Sequence, residues 1–534
     1  MDFGRKWLWL GALWLAGCSS SDSAWDSSPA ARTAGGTVPA GPSPTASQSP
    51  VVPSVPQPPA TRTAVPARPF VLTGSDPFAT FAADVDTASY DIFRRSLNNG
   101  GLPRPSEVRA EELINYFEYD YPAPEPDAEV PFTISLSASS HVNLEEHTKL
   151  LRVGIQGARP SEKPATNVVF LVDVSGSMAA ANKLPLVKTV ISEALAELDA
   201  DDEVSIVSYA ADTRVRSQPT RVRDRERIEQ TVKALEVGGG TNGSSGINLA
   251  YEQAQAGFLE GGINHIVLCT DGDFNLGVTN DDALVALIKQ KRTTGVTLTA
   301  LGFGDRNNDA MMERVSDAGN GIYSVLYDAD QAIAYAHQRL LSTMIHIAKD
   351  MKIQVEFNPE YVYAYRLIGY EDRVVADTQF RNDRVDGGEV GAGHRVTALF
   401  ELALKQEDVP DGVTPSRGES SATRVDAEIA DDELARVKIR WKKPGASSSD
   451  PASEVTEAFR PDEIGASLDE LDGDAQWAVA VAYLAAVLRN DRRAHAAELP
   501  RLLSLIEPLA GEHTDRRELL SLWGRAEDLL KVRE

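Results

Sequence analysis

The apolar positions of this chain follow three rhythms, and their order along the sequence predicts an architecture. From about Asp76 to Pro122 they recur three and four apart, as in Tyr90-Asp-Ile-Phe-Arg-Arg-Ser-Leu97 and Glu112-Leu-Ile-Asn-Tyr-Phe117, which predicts two helices. Asn99-Gly-Gly-Leu-Pro103 breaks them apart. Phe132–Ser137 and Leu150–Ile155 then alternate, as half-buried antiparallel strands do. Between about Ala165 and Ile347 continuous apolar runs are separated by amphipathic stretches. The runs are Val168–Asp173, Val204–Tyr209, His265–Thr270, Val296–Phe303 and Tyr323–Leu326. The helical stretches are Leu184–Leu198, Ile228–Leu235, Gly246–Phe258, Asp281–Arg292 and a closing helix Ala332–Ile347. Apolar strands joined by helical crossovers mean a parallel sheet covered on both faces.

Short alternation returns from Lys352, in Ile353–Phe357, Tyr363–Ile368, His394–Leu402 and Val437–Trp441. An acidic, Ser-rich loop from about Lys405 to Asp432 interrupts it. Three helical stretches, Ala475–Leu488, Leu499–Leu509 and Glu518–Leu530, end the chain. The fold expected is thus α/β. A Rossmann-like parallel sheet is inserted between two β segments that pair into one sandwich, with N-terminal helices and a C-terminal helical region. In residue numbers, a segment of helices and strands spans 76–163, the α/β domain 164–348, a β-rich domain 349–445 and the helical region 446–534. A chain of 534 residues is expected to hold roughly three domains.

The first residues have a separate purpose. Arg5 and Lys6 precede an apolar stretch, Trp7–Ala16. At roughly ten residues it suits a signal peptide and is too short to span a bilayer. It ends in Leu15-Ala16-Gly17-Cys18. That tetrad resembles the bacterial lipobox, in which the cysteine becomes the lipidated new N-terminus, so 1–18 is read as a lipoprotein signal peptide and Cys18 as the lipidation site. Ser19 follows in place of the aspartate that favours inner-membrane retention, which points to the outer membrane if the host has one. Residues 19–75 are rich in Pro, Ser, Ala and Thr, cannot build a core, and read as a disordered tether.

Composition narrows the possible functions. A net charge of −26 argues against nucleic acid, which needs a basic face. Scattered histidines without a His-x-x-x-His or Glu-x-x-His pair argue against a zinc enzyme. Gly302-Phe-Gly304 lacks the third glycine of a dinucleotide fingerprint, and Ser175 is not in a Gly-x-Ser-x-Gly elbow. Cys269, inside an apolar strand, is expected to be a small core residue. Asp84, Asp86 and Ser89 have no strand before them and are read as capping a helix.

The chemistry that remains sits at predicted strand ends, where open α/β sheets bind ligands. The run Val168–Asp173 delivers Asp173, Ser175 and Ser177 in one tight loop. The glycine-rich Gly238-Gly-Gly-Thr241-Asn-Gly243 delivers a threonine hydroxyl, and Thr270-Asp271-Gly-Asp273 a second carboxylate. All are hard oxygen donors, and two carboxylates with three hydroxyls suit Mg²⁺, with Mn²⁺ or Ca²⁺ as substitutes. So few formal charges leave the metal electrophilic, and an open position favours a carboxylate oxygen from a partner.

This pattern resembles the von Willebrand factor type A domain with its metal-ion-dependent adhesion site: Asp-x-Ser-x-Ser, a threonine on a second loop and an aspartate on a third. The resemblance implies metal ligation by Asp173, Ser175, Ser177, Thr241 and Asp271, with the aspartates acting partly through water. Further segments, among them Asp84-Val-Asp-Thr-Ala-Ser-Tyr90, Lys183-Leu-Pro-Leu186, Glu356-Phe-Asn-Pro359 and Val385–His394, resemble the YfbK-like family of bacterial von Willebrand A lipoproteins. That likeness runs from Phe81 to the C-terminus and sharpens architecture more than activity. The function expected is a non-enzymatic, envelope-anchored protein that engages an acidic group on an unidentified protein partner through its metal. The alternatives are an accessory subunit of a metal-dependent enzyme complex and a structural envelope protein.

Overall fold

The computed structural model describes residues 66–83, 86–142, 147–239, 243–272, 281–304, 307–371, 373, 375–382, 388–418, 428–446 and 450–531. Cys18, Asp84, Thr241 and most of the tether lie outside them. The chain opens with β1 (Val71–Leu72) and β2 (Phe78–Ala82), then α1 (Ala88–Asn98) and α2 (Ala110–Ile114), then the hairpin β3 (Phe132–Ser140) and β4 (Lys149–Gly157). The α/β domain follows as β5 (Thr166–Asp173), α3 (Leu184–Glu197), β6 (Glu203–Tyr209), β7 (Thr213–Arg221), α4 (Arg225–Lys233), α5 (Gly243–Ala256), β8 (Ile263–Thr270), α6 (Asp281–Arg292), β9 (Thr297–Phe303), α7 (Asp309–Ala318), β10 (Tyr323–Leu326), α8 (Ala329–Ala334) and α9 (Leu340–Met344). Strands β11 (His346–Phe357), β12 (Ala364–Ile368), β13 (Val390–Gly391), β14 (Arg395–Ala403), β15 (Ala435–Lys442) and β16 (Ser453–Phe459) precede α10 (Gly473–Leu488), α11 (Leu499–Ile506) and α12 (Thr514–Lys531).

The segments on either side of the α/β domain share their sheets. One sheet runs β1-β12-β14-β4-β3, and the other runs β13-β11-β15-β16 with β2 also on β11. Both therefore mix strands from before Thr166 and after Met344. Phe81, Val153, Ile155, Ile353, Val355, Phe400, Val437 and Ile439 fill one core between them, as alternating inner faces of a sandwich do. Chain exit and return nearly touch: a Cβ on Gly157 would lie 2.7 Å from Cδ1 of Ile347. The α/β domain is an insertion at that point.

The inserted sheet has the order β10-β9-β8-β5-β6-β7 and is parallel except for β7. Its central strand divides its side chains between two cores. Val168, Phe170 and Val172 pack with Val187, Val190 and Ile191 of α3. Val169 and Leu171 pack with Ile247, Ala250 and Ala254 of α5. A strand buried on both faces needs the unbroken apolar run seen there. Helices α1, α2, α10, α11 and α12 form a separate layer around Trp477, Trp523, Tyr90, Phe93 and Phe117.

At several places the structure departs from the local sequence pattern. Strand β2 lies inside the stretch read as purely helical. Its five residues pair with β11, and a run that short carries no helical or strand period to read. Strand β7 has no counterpart in the apolar pattern, because an edge strand carrying Arg214, Arg216, Pro219 and Arg221 has little apolar signal. The closing helix is interrupted by a π turn at Tyr335–Arg339 and ends at Met344, and His346 already belongs to β11. The tether gives way to structure before residue 75, since Phe70 is buried and β1 pairs with β12. Strand β16, on β15, falls inside the region read as helical. Asp86 caps no helix. It accepts from the Tyr323 main-chain N–H at 3.1 Å and pairs with Arg373 at 2.6 Å, joining the start of β10 to the sandwich. Ser89 donates to Glu112 at 2.7 Å. Cys269 is a buried free thiol, as expected of a core residue.

Candidate functional site

Strand β5 is where the sheet changes direction: α3 leads from it to β6 on one side, while β8 lies on the other. Such a switch point opens a crevice at the carboxyl ends of the strands. Asp173 ends β5 and Thr270-Asp271 ends β8, so the topology brings two of the three predicted loops together. The third loop is tied to them just before Thr241. The Gly238 N–H donates to the Val174 carbonyl at 2.8 Å, and the Gly176 N–H donates to the Gly239 carbonyl at 3.2 Å.

Within this crevice Asp173 is fully buried and held at both oxygens. Its Oδ1 accepts from the Ser175 main-chain N–H at 2.8 Å, and its Oδ2 accepts from the Thr270 hydroxyl at 3.0 Å. Burial lifts its carboxyl from the ordinary 3.8 to about 6. Asp271 adds to the lift, while the Ser175 and Thr270 hydrogen bonds oppose it. The hydroxyls of Ser175 and Ser177 lie 2.9 Å apart. Ser175 is buried and Ser177 exposed, so the donors run from the interior to the surface. Asp271 is buried, and its Oδ2 receives the Lys183 ammonium at 2.8 Å.

The donor set fits a hard divalent cation. Two carboxylates and two hydroxyls come from adjoining strand-end loops; Lys183 sets a positive charge beside Asp271, whereas buried Asp173, with only the Ser175 N–H and the Thr270 hydroxyl on it, is disfavoured as an anion without a cation beside it. Among the described residues no group of three or more His, Cys, Asp or Glu side chains is placed to hold a metal. The donors described here are all oxygens, which suits a hard cation better than zinc. Two contributors were missed by sequence reasoning. Thr270 was noted only as the neighbour of Asp271, although its hydroxyl orients Asp173. Lys183 did leave a signal: it occupies the N-cap of α3, where Ser, Thr, Asp or Asn is usual and a cation is disfavoured.

Residues 167–338 match the family described as von Willebrand factor type A domain, residues 61–152 that described as von Willebrand factor, and residues 342–529 that described as the C-terminal part of the uncharacterized protein YfbK. The inserted α/β unit is thus a von Willebrand factor type A domain, a module that generally mediates protein–protein interaction. Over 392 residues the chain is 39% identical to the uncharacterized protein YfbK of Escherichia coli, covering 71% of this chain and 67% of that one. The chain belongs to the YfbK family. It is also 26% identical over 181 residues to the uncharacterized protein sll0103 of Synechocystis, covering 34% of this chain and 42% of the relative. Among solved structures, a von Willebrand factor type A protein from Catenulispora acidiphila aligns with a TM-score of 0.41 at 16% identity, covering 76% of this chain and 91% of its own.

Proposed function

We propose that this protein binds a protein partner through a divalent cation held by Asp173, Ser175, Ser177, Thr241 and Asp271, and that it does so from a membrane to which Cys18 is lipidated. The cation is Mg²⁺, with Mn²⁺ or Ca²⁺ as substitutes. The observation that carries this reading is the convergence of Asp173, Ser175 and Asp271 at the switch point of the sheet, with Ser177 exposed beside them. When bound, the ion supplies an electrophilic position open to a carboxylate oxygen of the partner. Asp173 and Ser175 fix the inner side of the site, Ser177 marks its open side, and Thr270 keeps Asp173 oriented. The loops after β5 and β8 contain no His or Cys, which supports binding over acid–base or nucleophilic chemistry.

The amino end of β10 is joined to the sandwich through Asp86 and Arg373, which supports a site carried on the opposite end of the domain. Among the described residues no helix is long and apolar enough to cross a membrane. The reading of Cys18 rests on its lipobox-like setting, and of residues 19 onward as a tether on their composition.

Chemical crosslinking in the native envelope tests the proposal. The full chain is compared with Asp173→Ala, each in Mg²⁺ and in EDTA, and with Cys18→Ala to follow its fractionation. A partner captured only by wild type in Mg²⁺, and a Cys18→Ala chain lost from the membrane fraction, are expected. Equal capture in all four arms contradicts the metal-dependent contact, and retention of Cys18→Ala in the membrane contradicts the anchor.

A further inference from the structure

Lys183 is built into the candidate site more firmly than a surface lysine would be. It sits at the turn into α3, with φ −128° and ψ −106°. Its stem lies against the backbone where the chain leaves β9. A Cβ on Gly304 would stand 2.5 Å from the lysine Cε and 3.0 Å from its Cγ, and Gly304 has a φ of +90°. The missing side chain at 304 makes the channel along which the lysine reaches inward. Its ammonium then meets Asp271 Oδ2 at 2.8 Å, with the lysine side chain 17% exposed and the aspartate 3%. The helix does not account for this placement, since the positive end of a helix dipole repels a cation. The attraction comes from the Asp271 carboxylate at the end of β8.

We propose that Lys183 is the resident counter-cation of the metal-free site, and that its ammonium must release Asp271 before a divalent ion can draw on both carboxylates. Lys183 thereby sets the metal affinity. The inference rests on the metal-binding reading above and deepens it. The lysine sets a positive charge beside a buried carboxylate when no metal is present, where removing that charge is costly. On exchange, one charge of +1 gives way to one of +2, and the displaced ammonium repels the incoming ion. A lysine that merely braced the fold would stabilise the metal-free and metal-bound forms alike.

Titration calorimetry with MgCl₂ on the full chain, paired with melting temperatures in EDTA and in saturating Mg²⁺, tests this. Lys183→Met keeps the length of the stem and removes the charge. It is expected to bind Mg²⁺ about tenfold more tightly or better, to melt below wild type in EDTA, and to lose that deficit in saturating Mg²⁺. Lys183→Arg, which keeps a charge at the same place, is expected to stay near wild-type affinity. Unchanged or weaker binding by Lys183→Met, or an equal melting deficit with and without Mg²⁺, overturns it. A lack of Mg²⁺ binding in both proteins removes the metal-binding reading itself, a result distinct from the others.

Discussion

Two buried carboxylates in this protein are satisfied in opposite ways. Glu401 of β14 is fully buried, yet the guanidinium of Arg366 lies 2.7 Å from it and that of Arg493 2.5 Å, and the Thr148 hydroxyl donates at 3.0 Å. Burial by itself raises its carboxyl, but the two arginines outweigh burial and hold it at about 2, below the ordinary 4.5. Asp173 has no cation in direct contact among its described hydrogen-bond partners, and burial pushes it up to about 6. The first arrangement fastens the sandwich to the helical layer, and the second suits a site completed by an added charge. Because the folded value of Glu401 lies below the unfolded one, its contribution to stability is present at neutral pH and disappears as pH falls from about 4.5 toward about 2. Glu401→Gln is expected to cost about 3 kcal/mol at pH 7, since it leaves buried guanidiniums without a carboxylate. Urea melts at several pH values should then show a shallower loss of stability in acid for the variant, and parallel profiles would count against this role. At the residue scale the position of Asp173, Ser175, Ser177 and Asp271 at strand ends was legible in sequence, because each follows an apolar run whose end is easy to place. The pairing of Lys183 with Asp271 was not, because the partners are 88 positions apart.

Among the elements, α10 shows how far burial can hide periodicity. Thirteen of its sixteen residues are buried, from Ala475 to Leu488, so it has no polar face to mark its orientation. An apolar stretch of that length is too short to span a bilayer and suits a core helix, and α10 lies in the core of the helical layer. Trp477 is fully buried against Phe117, with ring centroids 5.4 Å apart. Trp477→Ala is expected to cost about 3–5 kcal/mol by opening a cavity there, measured as a shift in urea midpoint. A loss below about 1 kcal/mol would show that the layer collapses to fill the space. The strands that sequence missed share a different cause. β2 and β1 are too short to carry a period, and β7 is an edge strand kept polar against further pairing. Those strands owe their conformation to their neighbours β11, β12 and β6, and such long-range pairing leaves no local pattern to read.

Over the whole molecule the insertion decides what the site can face. The chain leaves the sandwich at Gly157 and returns at Ile347, and Asp86 joins the start of β10 to Arg373. The sandwich therefore adjoins the amino end of β10, while Asp173 and Asp271 lie at the carboxyl ends of β5 and β8. The return of short alternation after Lys352 made that arrangement legible, because two half-sets of strands on either side of an α/β unit have to complete each other. Most depends on whether those carboxyl ends bind one divalent cation. The melting temperature of the full chain with and without Mg²⁺, for wild type and Asp173→Ala, tests it most directly. Wild type is expected to melt several degrees higher in Mg²⁺, at about 100 times the dissociation constant, where one bound ligand contributes about 2.7 kcal/mol, and Asp173→Ala is expected not to respond. A wild type whose melting temperature is the same in Mg²⁺ and in EDTA would contradict the account.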